Sequence, residues 1–311
     1  MKNLVYICLF VTSILIGQTK NFTETDLNIP SVKVTVNGTL LMPIAIEKPK
    51  LIILIPGSGP TDRNGNQGQI QTNATKYLAE ALSDKKIATY RFDKSALALS
   101  KQKDFKEESV VFDDFIVDAK SIVAFFKKDK RFSKIIVAGH SQGSLVAMLV
   151  ANQVDGYISL DGAGRPIDEV LLEQIDKQAP FLTEQTKVVL DSLKQDLLVK
   201  DVNPMLVSIF RPSVQPFIMN WMRYNPQSEI QKVTVPILII NGTKDIQVPE
   251  TDAELLSKAN PKSTLKIITN MNHIFKEIKG DIQENMASYT NPNLPIMPIL
   301  AESVIEFVNK I

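Results

Sequence analysis

The sequence has few of the residues that bind metal ions or form disulfides. Its 311 residues include one cysteine, Cys8, and two histidines, His140 and His273. A single cysteine excludes an intramolecular disulfide and a cysteine-rich zinc site. The histidines stand too far apart for the helical HExxH zinc motif, and two imidazoles are few for a transition-metal site. We therefore expect no metal cofactor.

The chain also lacks an excess of charge of either sign. Lys and Arg total 35 and Asp and Glu total 34, which gives a formal net charge of +1. Nucleic acids and anionic membrane surfaces attract proteins that carry excess positive charge, so neither is an expected partner. Hydrophobic residues make up 44% of the chain, which is typical of a folded protein with a buried core.

The apolar run at the N-terminus is short. It covers residues 4–16, Lys2 precedes it, and small or polar residues follow it. A membrane-spanning helix needs about 17 to 25 residues, whereas this layout is that of a secretory signal peptide. We expect a signal peptide over residues 1–18, export to the periplasm or the medium, and no stable membrane span in the mature chain.

Buried strands alternate with amphipathic helices along most of the remaining chain. A hairpin is expected first, with strands over residues 32–36 and 39–46 around a turn at Asn37-Gly38, because this dipeptide tolerates positive φ angles. Short apolar runs then predict strands over residues 51–55, 87–92, 134–138, 157–160, 236–240 and 265–268. The alternation predicts an α/β fold with a mostly parallel central sheet and helices on both faces.

One long segment interrupts this alternation. Residues 162–234 contain only helical patterns, over residues 169–177, 183–200, 205–210 and 214–224, separated by prolines. We expect an inserted helical cap that divides the core into residues 19–161 and 235–311. An insertion at the C-terminal end of a strand lies above the usual ligand crevice of a parallel sheet. The alternative is a second helical layer without a role at the site.

Large apolar side chains within this cap are candidates for a substrate pocket. Such residues supply soft apolar surface, and a pocket built from them would favour apolar acyl groups. The alternative is that they form the core of the cap itself. The candidates are Phe210, Phe217, Trp221 and Met222.

One pentapeptide supplies a candidate nucleophile. Gly139-His140-Ser141-Gln142-Gly143 matches the pattern G-x-S-x-G, and a predicted strand precedes it and a predicted helix follows it. In this context the serine occupies a strained turn at the top of the sheet, and the next amide can donate to a developing oxyanion. Ser141 is therefore the predicted nucleophile, and Gln142 is a predicted oxyanion donor.

A serine nucleophile needs a base, and a histidine base needs a carboxylate that orients it. One histidine is fixed in the turn beside the serine, which leaves His273, after the last predicted strand, as the candidate base. Asp245 follows the preceding strand and keeps the chain order Ser, acid, His. Asp161 and Asp252 are the alternative acids.

These residues resemble the catalytic set of the α/β-hydrolase superfamily, and the resemblance covers the chain from about residue 30 onward. Residues 56–63 are similar to the Pro-Gly-Ser-Gly-Pro-x-Asp-Arg loop of a bacterial serine esterase subgroup. The resemblance implies that the amide of Ser58 donates to the oxyanion, with Gly59 as the alternative donor. Asp62 and Arg63 either pair with each other to order the loop or contact the substrate.

The predicted activity is the hydrolysis of small-molecule carboxylic esters with short to medium acyl chains, through an acyl-enzyme on the serine. No cofactor is expected, because the glycines of the loop fit neither the G-x-G-x-x-G nor the P-loop pattern. One alternative is a peptidase of the same fold. Another, from a different class, is a binding protein that retains the fold without catalysis.

Overall fold

An eight-stranded sheet forms the centre of residues 20–311, the part of the chain that this computed structural model describes. The strands are β1 (Phe22–Pro30), β2 (Thr35–Pro43), β3 (Leu51–Ile55), β4 (Ala88–Phe92), β5 (Ile135–His140), β6 (Gly156–Leu160), β7 (Ile237–Gly242) and β8 (Thr264–Ile268). Their order across the sheet is β1-β2-β4-β3-β5-β6-β7-β8. The pairs β1·β2 and β2·β4 are antiparallel, and the remaining pairs are parallel. The mostly parallel sheet confirms the predicted fold class.

Helices cover both faces of this sheet. They are α1 (Ala74–Asp84), α2 (Ser95–Leu99), α3 (Phe112–Lys128), α4 (Gln142–Val150), α5 (Ile167–Gln178), α6 (Thr183–Lys194), α7 (Val207–Phe210), α8 (Gln215–Trp221), α9 (Pro226–Ile230), α10 (Glu250–Ala259), α11 (Ile282–Ser288) and α12 (Pro298–Asn309). Residues of α1 and α12 belong to the core on one face, and residues of α3, α4 and α10 belong to the core on the other. Successive residues of β3 alternate between the two cores, since side chains of a strand point to opposite faces.

The helices α5 to α9 lie between β6 and β7 and form what we call the helical insertion, residues 162–234. The insertion has a core of its own, which includes Leu190, Phe210 and Ile218. The predicted helix over residues 183–200 was too long, because α6 ends at Lys194. Asp196 has a left-handed φ of 58°, a conformation that cannot continue a right-handed helix.

The predicted hairpin turn at Asn37-Gly38 is wrong. Both residues lie inside β2, and the turn covers residues 31–34, where the amide of Ser31 donates to the carbonyl of Val34 at 2.9 Å. Gly38 is required by packing, since a Cβ there would lie 2.2 Å from the hydroxyl oxygen of Tyr90. The pattern also missed β1, an edge strand whose side chains are mostly exposed and polar.

The predicted signal peptide, residues 1–18, lies outside the described residues, so it stays a prediction. Within residues 20–311, none of the helices combines the length and the hydropathy that crossing a bilayer requires.

Candidate active site

Ser141 occupies a sharp turn between β5 and α4. Its backbone angles are φ 52° and ψ −123°, a strained conformation for a residue with a side chain. The flanking glycines make the turn possible. A Cβ at Gly139 would lie 2.0 Å from the carbonyl oxygen of Gly143, and one at Gly143 would lie 2.5 Å from the carbonyl oxygens of Ile55 and Pro56. Tight packing of strand against helix thus explains both glycines of the pentapeptide.

The structure brings the predicted base and the predicted acid together. His273 Nδ1 lies 2.6 Å from Asp245 Oδ2, and the Asp245 side chain has no exposed surface. The other carboxylate oxygen accepts the main-chain N–H groups of Gln247 and Val248 at 2.8 and 2.9 Å. Because Nδ1 donates to the carboxylate, Nε2 of His273 is the atom left to accept a proton.

The second histidine supports the first from within the pentapeptide. His140 Nε2 donates to the main-chain carbonyl of His273 at 2.8 Å, and the two rings lie 4.8 Å apart between centroids. Burial, and secondly the nearby His273, lowers the pKa of His140 to about 3, so this ring is neutral near neutral pH. The sequence predicts no role for His140, because nothing in it places these two loops side by side.

The two alternative acids have different surroundings. Asp161, at the end of β6, is fully buried and accepts the main-chain N–H of Gly242 at 3.2 Å. Burial, and secondly the charge of Asp245, raises the pKa of Asp161 well above its usual range, which favours the protonated form. Asp252 instead binds the guanidinium of Arg165, at 3.1 and 2.7 Å. These contacts favour Asp245 as the partner of the histidine.

The loop over residues 56–66 is held by charged groups, but not in the predicted way. Arg63 does not pair with Asp62. It makes a two-point contact with Asp93, at 3.0 and 2.8 Å, and a further contact with Asp26 at 3.0 Å. The Asp62 carboxylate accepts main-chain N–H groups two and four residues later, at 2.9 and 2.8 Å, so it closes its own turn.

The predicted oxyanion donors lie beside the nucleophile. Ser58 and Gln142 line the same cavity as Ser141. The loop approaches closely because residue 57 is glycine, where a Cβ would lie 3.3 Å from the Cβ of Ser141.

Sequence reasoning missed Lys94, which reaches this loop from the end of β4. Its ammonium donates to the carbonyl of Gly57 at 2.7 Å and to the side-chain oxygen of Gln142. The position of Lys94 in the sequence could have indicated such a role. Asp93 and Lys94 directly follow a buried strand, and ligand sites usually lie at the C-terminal ends of the strands of a parallel sheet.

Two cavities meet at Ser141. The larger, about 320 Å³, lies between the helical insertion and the nucleophile and has a mostly apolar lining. The smaller, about 130 Å³, shares Ser58 and Ser141 with the larger cavity and also reaches His273. The larger cavity is lined by Ser58, Ser141, Gln142, Leu145, Ala163, Arg165, Ile167, Val170, Leu171, Gln174, Ile209, Trp221, Pro226, Gln247 and Val248. The smaller is lined by Gly57, Ser58, Thr61, Gly65, Gln67, Ile70, Thr72, Ala74, Thr75, His140, Ser141, Gln247, His273, Ile274 and Tyr289.

Of the four predicted pocket residues, Trp221 lines the larger cavity. Contrary to the prediction, Phe210 is 0% exposed and lies in the core of the insertion, and Met222 packs against that core. Phe217 packs edge to face with Phe112 and lines a separate cavity. Apolar character alone did not reveal which side of each short helix faces the sheet.

Comparison with known proteins relates the chain to several hydrolases. Esterase EstD of Thermotoga maritima is 28% identical over 272 residues, which cover 82% of this chain and 62% of the relative. This chain therefore spans less than two thirds of the length of that relative.

Solved structures share the fold at lower identity. Est1E from Butyrivibrio proteoclasticus, in a complex with ferulic acid, has a TM-score of 0.60 and 21% identity over 91% of this chain and 98% of its own. A Pyrococcus furiosus esterase has a TM-score of 0.58 and 17% identity over 93% of this chain and 91% of its own. At these identities the likeness is one of fold.

A family model gives the assignment. The model of the serine aminopeptidase family S33 matches residues 70–278, which is more than half of the chain. Together with the parallel sheet and the serine turn at the end of β5, this match establishes that the chain belongs to the serine aminopeptidase family S33 of the α/β-hydrolase superfamily.

Proposed function

We propose that the protein is a serine esterase that hydrolyses carboxylic esters with short to medium acyl chains. The observation that carries the proposal is the buried Asp245–His273 pair, joined at 2.6 Å, beside a cavity that opens on the strained Ser141. The likeness to Esterase EstD supports an ester substrate.

In the proposed reaction, Ser141 Oγ attacks the ester carbonyl carbon while His273 Nε2 takes the hydroxyl proton. The amides of Ser58 and Gln142 hold the oxyanion of the tetrahedral intermediate. His273 then gives its proton to the departing alcohol, and an acyl-enzyme remains. Water, deprotonated by the same imidazole, releases the acid, and Asp245 stays ionised throughout.

The two cavities suggest how the substrate lies. The larger cavity has an apolar lining that includes Val170, Leu171 and Trp221, which suits an alkyl acyl group. The smaller cavity presents hydroxyl and amide groups, among them Thr61 and Gln67, which suit the alcohol portion. A cavity of about 320 Å³ limits the acyl chain to moderate length.

The family name favours a second candidate, a peptidase that removes N-terminal residues. An aminopeptidase must bind a free α-ammonium group, and a carboxylate is its natural partner. Among the described residues that line the two cavities, none is Asp or Glu. Arg165, the charged residue of the larger cavity, is already paired with Asp252. The esterase is therefore the preferred proposal.

Covalent labelling tests the nucleophile directly. A fluorophosphonate should label the wild-type protein and should fail to label Ser141→Ala, whereas Ser208→Ala, at an exposed serine of the insertion, should label normally. The absence of labelling in the wild type would favour a binding protein without catalysis.

Steady-state kinetics separate the two activities. The kcat/KM for p-nitrophenyl acyl esters should exceed that for aminoacyl p-nitroanilides and should peak at a short or medium acyl chain. The reverse order would identify a peptidase.

We also infer that the chain is exported and belongs to the bacterial esterase subgroup with the Pro-Gly-Ser-Gly-Pro-x-Asp-Arg loop. The segment over residues 1–18 and the loop over residues 56–63 support this inference. N-terminal sequencing of the expressed protein tests export. A mature chain that begins near residue 18 is expected, and an intact Met1 in the soluble cell extract would contradict it.

A further inference from the structure

Lys94 is a buried cation at the rim of the proposed catalytic site. It directly precedes α2 and is 4% exposed. Its ammonium donates to the carbonyl oxygen of Gly57 at 2.7 Å and to Oε1 of Gln142, and it lies 4.1 Å from the centre of the Phe115 ring. One side chain thus joins the loop after β3 to the first residue of α4.

This ammonium has no direct counter-ion among residues 20–311. Both of its oxygen acceptors are uncharged, and Asp118 is the carboxyl group that acts on it electrostatically. A buried charge without a paired partner is unfavourable for folding, and methionine would fill similar space without that penalty. Such a group is better explained by a function at the site than by a contribution to stability.

The contact with Gly57 acts on the predicted oxyanion donor itself. The carbonyl of Gly57 and the N–H of Ser58 belong to one peptide group, and in a trans peptide they point in opposite directions. An ammonium bound to the carbonyl therefore polarises the N–H that faces away from it. It also fixes the orientation of that peptide, which glycine alone would leave free to rotate.

The contact with Gln142 acts on the second donor. The main-chain N–H of this residue is the other predicted donor, and its side-chain oxygen is bound by the same ammonium. The two donors come from separate segments of the chain, so their spacing depends on what holds the segments together. A donor pair that is fixed before the reaction stabilises an oxyanion most effectively.

We propose that Lys94 is the positioning residue of the oxyanion hole, where it fixes the Gly57–Ser58 peptide against Gln142 and adds positive potential to the site. The inference rests on the proposed function, since an acyl-transfer reaction is what requires such a hole. It predicts that loss of the ammonium impairs binding of the transition state and leaves binding of the substrate largely intact.

The test compares Lys94→Met with wild type by steady-state kinetics on a p-nitrophenyl ester. Loss of one oxyanion donor typically lowers kcat by about 10²–10³, so the variant should lose at least about tenfold in kcat with little change in KM. Affinity for an alkyl trifluoromethyl ketone, whose adduct places an oxyanion in the hole, should fall by a similar factor. Affinity for the corresponding alkyl methyl ketone, which does not form a stable adduct with the serine, should not fall.

Lys50→Met is the matched control. Lys50 Nζ also donates to a main-chain carbonyl at 2.7 Å, but it precedes β3, at the opposite end of that strand from Gly57. This variant should keep the wild-type kcat. If Lys94→Met does not yield folded protein, Lys94→Leu, which also lacks a donor, is measured in its place, with the same expectation.

The outcomes are distinguishable. A folded Lys94 variant with the wild-type kcat and ketone affinity overturns this inference while the esterase proposal stands. A rise in KM with unchanged kcat also overturns it, because that result indicates altered substrate binding. A wild-type protein that neither hydrolyses the ester nor reacts with a fluorophosphonate overturns both proposals together.

Discussion

Replacing Lys94 with methionine should remove a pH dependence from the stability of the folded protein. Burial lowers the pKa of Lys94 from 10.5 to about 7 in the folded protein. Between these values the unfolded chain binds more protons than the folded chain, so the stability of the wild type rises with pH across this window. In the wild type, the contribution of Lys94 to stability is complete only above the pKa of this group in the unfolded chain. It is lost as the pH falls toward the folded-state value of about 7.

The magnitude follows from the two pKa values. One pKa unit corresponds to about 1.4 kcal/mol, so the lowered pKa amounts to roughly 5 kcal/mol, of which about 4 kcal/mol falls between pH 6 and 10. The variant lacks this dependence, but it leaves the Gly57 carbonyl and Oε1 of Gln142 without their donor, which costs about 1–3 kcal/mol for each acceptor. Relative to wild type, Lys94→Met should therefore gain about 4 kcal/mol in unfolding free energy as the pH falls from 10 to 6, and it should be less stable than wild type at pH 10.

Urea unfolding followed by circular dichroism at pH 6, 8 and 10 measures this difference. The wild type, Lys94→Met and the control Lys50→Met are compared at each pH. The reasoning is refuted if the difference in unfolding free energy between wild type and Lys94→Met does not change with pH. A variant that is more stable near neutral pH but catalytically impaired would place Lys94 among residues kept for function at the expense of stability.

Three further predictions test the site and its frame. Asp245→Asn should lower kcat on a p-nitrophenyl ester by about 10⁴. Asp161→Asn exchanges a protonated carboxyl for a neutral amide and should retain most activity. Equal losses in the two variants would contradict the assignment of the acid. Trp221→Ala should shift the preferred acyl chain to greater length, while Phe210→Ala should leave that preference unchanged and destabilise the protein by about 3–5 kcal/mol in a denaturant titration. Gly143→Ala should lower stability in thermal unfolding by at least about 1–3 kcal/mol, because its methyl group would lie 2.5 Å from main-chain carbonyl oxygens. A variant with the wild-type Tm would disprove this explanation of the turn.

Much of the fold could be predicted because its signals are local. The five apolar residues of β3 predict a strand buried on both faces, and the structure places them alternately in the two cores. The exceptions are also instructive. Asn37-Gly38 is a dipeptide typical of turns, yet it lies within β2. Gly38 packs there against Tyr90, which is distant in the sequence. The sequence of one segment does not reveal a contact with a distant residue.

The candidate site divides in the same way. The serine turn follows from the local sequence, because the two glycines around Ser141 have one steric explanation when a strand precedes and a helix follows. The sequence also left His273 as the candidate base, because the chain has two histidines and His140 is fixed in the turn. The tertiary structure was needed to select Asp245 over the alternative acids as the partner of that histidine, and to show that Lys94 binds the loop over residues 56–66. The reason is physical: a turn is determined by the sterics of neighbouring residues, whereas the partner of a buried charge is determined by which distant segments the folded sheet brings within 3 Å of each other.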